Sequence, residues 1–190
     1  MQSTIFETLN FTIRELQLDD ITSFHQMQGN SKVMQYTGNK AKSFEENQAD
    51  LHKVIAHYSE TNNQFWVWAI ERQSDKAFVG TCALVGDSKG TYEIGFRFLE
   101  QYWKLGYGKE ICNSLIDYAF CQDEISSLIA YVDVRNIGSV KILEQSKLGF
   151  IEEAYNKEYE STDRFYSMDI IDQEETIHPQ EKIGFSPDLN

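Results

Sequence analysis

Between Tyr92 and Lys109 the sequence reads YEIGFRFLEQYWKLGYGK: an aromatic and β-branched run, a loop holding Gly106 and Gly108, and then at once a helical pattern. A helix N-terminus exposes unpaired N–H groups and carries about half a positive charge. Glycines at alternate positions let the backbone approach an anion closely. The segment is therefore a candidate pyrophosphate cradle, and Lys104 and Lys109 add positive charge to it. It is not a Walker loop, because no Gly-Lys-Ser/Thr follows, and it fails the GxGxxG dinucleotide pattern. A tight strand-to-helix turn with no ligand would also use two such glycines.

The elements around this segment follow from its neighbours' periodicity. Alternation from Leu9 to Leu16 predicts a first strand, and Asp19 or Asp20 can cap a helix carrying Ile21, Phe24 and Met27. Gly38 to Ser43 reads as a loop. Ser43 with Glu46 forms a capping box for a helix from Phe44 to His57, with Leu51, Val54, Ile55 and Tyr58 inward. Three strands, 65–70, 77–85 and 91–99, are separated by short turns and predict an antiparallel meander. Ile111, Leu115, Tyr118 and Ala119 recur at helical spacing up to about Cys121. Leu128 to Val134 is nearly continuously apolar, the pattern of a central strand buried on both faces. A helix from 137 to 144 and strands at 150–155 and 164–171 complete the order β-α-α-β-β-β-α-β-α-β-β: an α/β domain with a mixed, mostly antiparallel sheet over residues 1–171. Residues 172–190, which hold Pro179 and Pro187, read as a polar, acidic and poorly ordered tail.

The 190 residues carry a net charge of −13. Such a surface repels phosphate backbones, so nucleic acid is an unexpected partner, while cationic groups are attracted. Acidity that serves only solubility is the plainer account. Cys82, Cys112 and Cys121 are odd in number and form no CxxC pair, which indicates neither a disulfide framework nor a zinc site. His25, His52, His57 and His178 lack metal-ligand spacing and read as surface residues. The first nine residues lack the features of a signal peptide, and no run reaches the roughly 18 apolar residues of a membrane span. No membrane association is expected, and the expected location is the cytoplasm.

Trp103-Lys104-Leu105-Gly106-Tyr107-Gly108 resembles the Q/R-x-x-G-x-G/A junction of the GNAT superfamily of acetyltransferases, with Trp103 where Gln or Arg is usual. The Tyr-Trp-x-x-Gly-Tyr form is similar to the branch that acetylates the N-termini of ribosomal proteins. Other segments resemble that branch in order: Phe11-Thr12-Ile13-Arg14-Glu15-Leu16 with Asp19-Asp20, Val33-Met34-Gln35-Tyr36-Thr37-Gly38, Asn136-Ile137-Gly138-Ser139, and Leu148-Gly149-Phe150. The resemblance covers about Glu7 to Asp169.

The resemblance implies a GNAT fold and transfer of an acetyl group from acetyl-CoA to an amine, with no metal. Coenzyme A would lie in a V-shaped opening between the strands at 91–99 and 128–134. Backbone groups around Phe98 and Leu99 would hold the pantetheine and thioester. The N–H groups of Leu105, Gly106, Tyr107, Gly108 and Lys109, with the Lys104 charge, would hold the pyrophosphate, and Asn136 would bond the pantetheine arm. Glu93 would act as general base, directly or through water; a solvated strand glutamate is the competing account. Seven residues after Asn136, where many members carry a tyrosine acid, this chain has Leu143, and Ser139 is the implied substitute. Ser139 could equally serve only to complete the helix terminus. The segment from Ile142 to Phe150 is two residues longer than the usual one. Phe65, Trp66 and Trp68 read as core aromatics that could instead line an acceptor pocket.

The implied acceptor is the α-amine of a protein such as a ribosomal protein; a small amine such as a polyamine or an aminoglycoside-like compound, and a CoA-binding module without catalysis, stand as alternatives. A homodimer is compatible with this reading.

Overall fold

The computed structural model describes residues 3–37, 40–157 and 160–169. The tail, the final residues of the last predicted strand, Gly38 and His178 lie outside the described residues.

The elements are β1 (Thr4–Glu7), β2 (Phe11–Glu15), α1 (Ile21–Gln28), α2 (Ser31–Met34), α3 (Phe44–His57), β3 (Phe65–Arg72), β4 (Phe78–Gly86), β5 (Thr91–Phe98), α4 (Tyr107–Ala119), β6 (Ser127–Asp133), α5 (Ile137–Glu144), β7 (Gly149–Asn156) and β8 (Ser161–Asp169). Single turns of 3-10 helix precede α1 and follow β5. The strands form one eight-stranded sheet in the order β1-β2-β3-β4-β5-β6-β8-β7. Every neighbouring pair is antiparallel except β5 and β6.

Alternation along the strands divides the core between the two faces of the sheet. Tyr92, Ile94 and Phe98 of β5 pack with Ile111, Leu115 and Ile116 of α4. On the other face Phe24 and Met27 of α1 and Leu51 and Val54 of α3 cover Ala69 and Val67 of β3. The capping box predicted for α3 is formed: Glu46 N–H donates to Ser43 Oγ at 3.2 Å, and Ser43 N–H to Glu46 Oε2 at 2.7 Å.

The structure departs from the sequence expectations in four places. β1 and α2 were not predicted, being only four residues each. β1 is an edge strand that gains its hold from tertiary contact, with Phe6 stacked on Tyr118 at 4.8 Å. Asp20 makes no side-chain cap to α1. Its carboxylate instead takes both terminal nitrogens of the buried Arg14 at 2.8 Å, and Arg14 Nε reaches Glu71 at 2.8 Å. β6 is buried on one face only: Leu128, Ala130 and Val132 are in the core while Tyr131 is exposed, stacked on Phe165 at 4.9 Å. The helical layer of α1 and α3 does not extend over that part of the sheet. Cys121 lies past the end of α4 and is exposed, whereas Cys82 and Cys112 are buried.

Candidate active site

β5 and β6 pair only through Thr91–Ser127, Tyr92–Leu128 and Glu93–Ile129, and beyond Glu93 they diverge. Asp87 N–H bonds Thr91 O and Leu99 N–H bonds Val79 O, each at 3.0 Å, so the odd-numbered residues of β5 spend their backbone groups on β4. The even-numbered residues then turn theirs toward β6. The Ile94 N–H closes the last pair of the seam on Ile129, and where β6 has departed the carbonyl of Ile94, both backbone groups of Phe96 and the N–H of Phe98 face the opening. Leu99 has both of its backbone groups engaged within the fold. Its N–H is spent on Val79 and its carbonyl on Tyr102 N–H at 2.9 Å. The Phe98 carbonyl is likewise occupied, by the Trp103 indole N–H at 3.0 Å.

The loop that follows turns on two residues with positive φ, Lys104 at 62° and Gly106 at 84°. Gly106 occupies the N-cap position of α4 and supplies no side-chain cap. Lys109 and Glu110 donate their N–H groups to the Gly106 carbonyl at 3.2 and 3.4 Å. The Lys109 N–H is thus engaged within the helix terminus. The N–H groups of Tyr107 and Gly108 have no intrahelical acceptor and no described partner, and remain to receive an anion. Gly108 is there for close packing: a Cβ on it would meet Ile142 Cδ1 of α5 at 2.6 Å. The Tyr107 side chain points inward, edge-on to Phe11 at 4.8 Å, with its hydroxyl accepting from Arg72. Leu105, Lys104 and Lys109 are exposed.

A cleft of about 840 Å³ runs over the α1–α3 face of the sheet and through the β5–β6 opening. Strand pairing lays its floor in rows: Phe65, Val85 and Glu93, then Val67, Ala83 and Gly95, then Thr81 and Arg97. Trp66 and Trp68 fall on the opposite face, stacked on each other at 6.0 Å, and of the three aromatics only Phe65 lines the cleft.

Glu93 lies on this floor, open to the cleft but hemmed in by its walls. Burial pushes its carboxyl pKa up from the ordinary value. No hydrogen bond or ion pair to its side chain is formed among the described residues. From the other wall, α5 presents Asn136, Ser139 and Leu143 to the same cleft. Asn136 Oδ1 accepts from Ser139 N–H at 3.3 Å, which closes the helix terminus and orients its amide group. The preceding turn is braced by Asp133, which takes Arg135 N–H at 2.8 Å and Arg135 Nη2 at 2.5 Å and is held below the usual carboxylate range by that side-chain hydrogen bond. Ser139 and Leu143 are one turn apart on one helix face. The Leu143 side chain is buried at the position where the resemblance expects a hydroxyl, and Ser139 Oγ has no described partner.

Two lining residues were not singled out from the sequence. Tyr36 stands across the cleft from α5, with the Arg135 guanidinium 6.0 Å from its ring centre. Arg97 is the fourth residue after Glu93, so strand alternation alone puts the two on one face.

Residues 10–151 match the family model described as "Acetyltransferase (GNAT) domain". The chain is 25% identical over 158 residues to the uncharacterized N-acetyltransferase YoaA of Bacillus subtilis, covering 82% of this chain and 87% of that one. Among solved structures, RimL, the ribosomal L7/L12 alpha-N-protein acetyltransferase in complex with coenzyme A, superposes with a TM-score of 0.76 at 14% identity, covering 88% of this chain and 98% of that one. The spermidine N-acetyltransferase of Vibrio cholerae in complex with CoA and spermine superposes with a TM-score of 0.70 at 20% identity, covering 83% and 94%. At those identities the superpositions speak to the fold.

Proposed function

The chain belongs to the GNAT acetyltransferase family and is an N-acetyltransferase, and from that premise we propose that it transfers the acetyl group of acetyl-CoA to the α-amine of a peptide or protein N-terminus. The observation that carries this reading is Glu93: a carboxylate with a raised pKa and no described partner, on the floor of an open cleft, beside the splayed strands. An α-amine has an ordinary pKa near 7.7–8.0, so roughly a tenth to a sixth of it is neutral at pH 7, against less than about one part in a thousand for a lysine side chain. A carboxylate of modestly raised basicity, acting directly or through water, suits the first acceptor better than the second.

In this reading the pantetheine arm enters between β5 and β6, against the free backbone groups of Ile94, Phe96 and Phe98, with Asn136 on its other side. The pyrophosphate rests on the N–H groups of Tyr107 and Gly108, with Lys104 and Lys109 supplying charge. The amine attacks the thioester carbonyl, and Glu93 accepts the proton that the nitrogen gives up. The C–S bond breaks as the amide forms, and the Ser139 hydroxyl donates to the departing sulfur. That thiolate, with a pKa of about 8.5, is a tolerable leaving group that needs only modest help. A polyamine acceptor would call for carboxylates to hold its distal ammonium groups. The cleft's other carboxylates are already engaged, Asp50 by Lys42, Asp133 by Arg135 and Asp163 by the Ser161 hydroxyl and the Asn156 amide, which favours the α-amine reading.

The test is release of coenzyme A thiol from acetyl-CoA in the presence of peptides with free or blocked α-amines, alongside polyamines and aminoglycosides. Turnover with free peptides that is lost on blocking is the expected result. Turnover confined to a small amine would move the function to metabolite acetylation. Tight coenzyme A binding without turnover on any amine would leave a binding module.

A further inference from the structure

The chemistry above leaves Arg97 without a task. The sequence has five arginines. Arg14, Arg72, Arg135 and Arg164 each form an ion pair with a carboxylate. Arg97 forms none among the described residues, although it is the one that lines the cleft floor beside Gly95. Its Nη1 donates to Gln28 Oε1 at 2.9 Å, and Gln28 is itself buried on α1. The carboxylate that acts on it electrostatically is Asp50, which is already engaged by Lys42. Burial draws the Arg97 pKa down, which means the site holds this cation at a cost. A buried charge without a counter-ion is unfavourable, and an arriving anion removes that penalty while gaining the strength of a charge-assisted bond. The guanidinium presents a planar fork of donors that matches a carboxylate, and Gln28 fixes one arm of it.

The path from Glu93 to Arg97 is clear. Gly95 lies between them on the same face, and nothing stands within 4 Å of where a Cβ on it would be. Its cross-strand neighbour is the small Ala83. Four residues of strand separate the two charged positions by about 13 Å along the floor. Part of that span is taken up by the two side chains themselves, so a ligand bridging them needs its amine and its anion about two to three residues of extended chain apart.

We propose that the acceptor carries a carboxylate, which Arg97 binds while the reacting amine lies at Glu93; in a peptide acceptor this is an Asp or Glu at the second or third position. The proposal rests on the N-acetyltransferase reading of the cleft and names the substrate class that reading leaves open. It also sets the interior apart from the surface: a chain of net charge −13 selects an acidic acceptor through the Arg97 guanidinium.

Two measurements decide it. The first compares kcat/KM for paired peptides with free α-amines that differ only by Asp against Asn at position two or three, in the wild type and in Arg97→Met. The wild type is expected to prefer the acidic peptide on the order of tenfold to a hundredfold, the range of a hydrogen-bonded charge. The variant is expected to bring that ratio to about one, with coenzyme A affinity unchanged. Equal use of the two peptides by the wild type, or an unaltered ratio in the variant, overturns the proposal. The second needs no turnover: thermal stabilisation by glutarate, with uncharged glutaramide as control, both in saturating coenzyme A. Glutarate is expected to stabilise the wild type and not Arg97→Met, and no selective stabilisation counts against the anion site. Glutarate binding at Arg97 with no peptide turnover would retain the site and remove the peptide reading. Peptide turnover with indifference to acidic residues would do the reverse.

Discussion

The indole of Trp103 donates a 3.0 Å hydrogen bond to the carbonyl of Phe98, the last residue of β5. That bond ties the loop carrying Lys104 and Gly106, both at positive φ, to the end of the strand that borders the opening. Trp103→Phe keeps the aromatic bulk and deletes the donor. Its expected effect is a loss of about 1 kcal/mol in coenzyme A binding, read by calorimetry as a roughly fivefold higher Kd. Thermal stability should change little, since Trp103 is substantially exposed.

Glu93→Gln is expected to lower kcat by a factor of about 10² to 10⁴ at neutral pH, the contribution of a positioned base, with the Kd for coenzyme A unchanged. In the wild type, kcat should fall as pH drops through the raised Glu93 pKa, and the variant should lack that acid limb. Stability should move the other way. A carboxyl whose folded pKa lies above its unfolded value binds more protons in the folded state between the two, so folding loses stability as pH rises across that window. Glu93→Gln should therefore melt higher than the wild type near pH 7 and level with it below the ordinary carboxyl pKa of 4.5. A melting curve without that crossover would assign the residue to solvent.

Ser139→Ala separates a hydroxyl role from a helix-end role. The terminus of α5 is closed by the Ser139 backbone N–H on Asn136, which alanine retains. Melting temperature is expected to stay the same while kcat falls by about tenfold to a hundredfold. A loss of stability with kcat intact would leave Ser139 only its structural part.

The two glycines of the junction should fail differently. Alanine at Gly106 meets no neighbour but must adopt φ 84°, a strain of about 1 kcal/mol that no second-site change relieves. Alanine at Gly108 meets Ile142 Cδ1 at 2.6 Å. Both are expected to weaken coenzyme A binding. Ile142→Val, which deletes that methyl, should restore the Gly108→Ala variant and leave Gly106→Ala as it was.

Arg14→Met strands Asp20 and Glu71, both largely buried beside it. Removing one partner of such a cluster costs about 3–5 kcal/mol. The expected result is a large drop in the denaturation midpoint with an unchanged denaturant slope.

The elements whose ends carry local signals were legible in the sequence. The capping box of α3 and the span of α5 fell where they were expected, because side chain and backbone within one turn decide them. The three-strand meander was legible from alternation between short turns. What escaped depends on partners far along the chain. β1 is four residues held by Tyr118. Asp20 looked like a cap until Arg14 claimed it. β6 looked buried on both faces because apolar residues cannot announce that the helical layer stops short of them. At the candidate site, Glu93, Asn136 and Ser139 do line one cleft, but the hydrogen bonds that occupy Leu99 and Lys109 were invisible to a pattern of residue types. Arg97 was readable in principle, since residues four apart on a strand share a face. What the sequence does not reveal is that every other arginine has found its carboxylate.

Three residue pairs are all that zip β5 to β6. The sheet is in effect two plates, β1 to β5 and β6 to β8, sewn by a short seam at one end and propped apart at the other. A seam so short is the line along which such a structure yields first. Amide exchange at Ile129 and Ile94, whose N–H groups bond across that seam, should then be faster than at the middle of β4, which is laced on both sides, and the difference should shrink once a ligand fills the gap and stiffens the joint. The wedge proposed for the cosubstrate is thus also where the sheet is expected to give first.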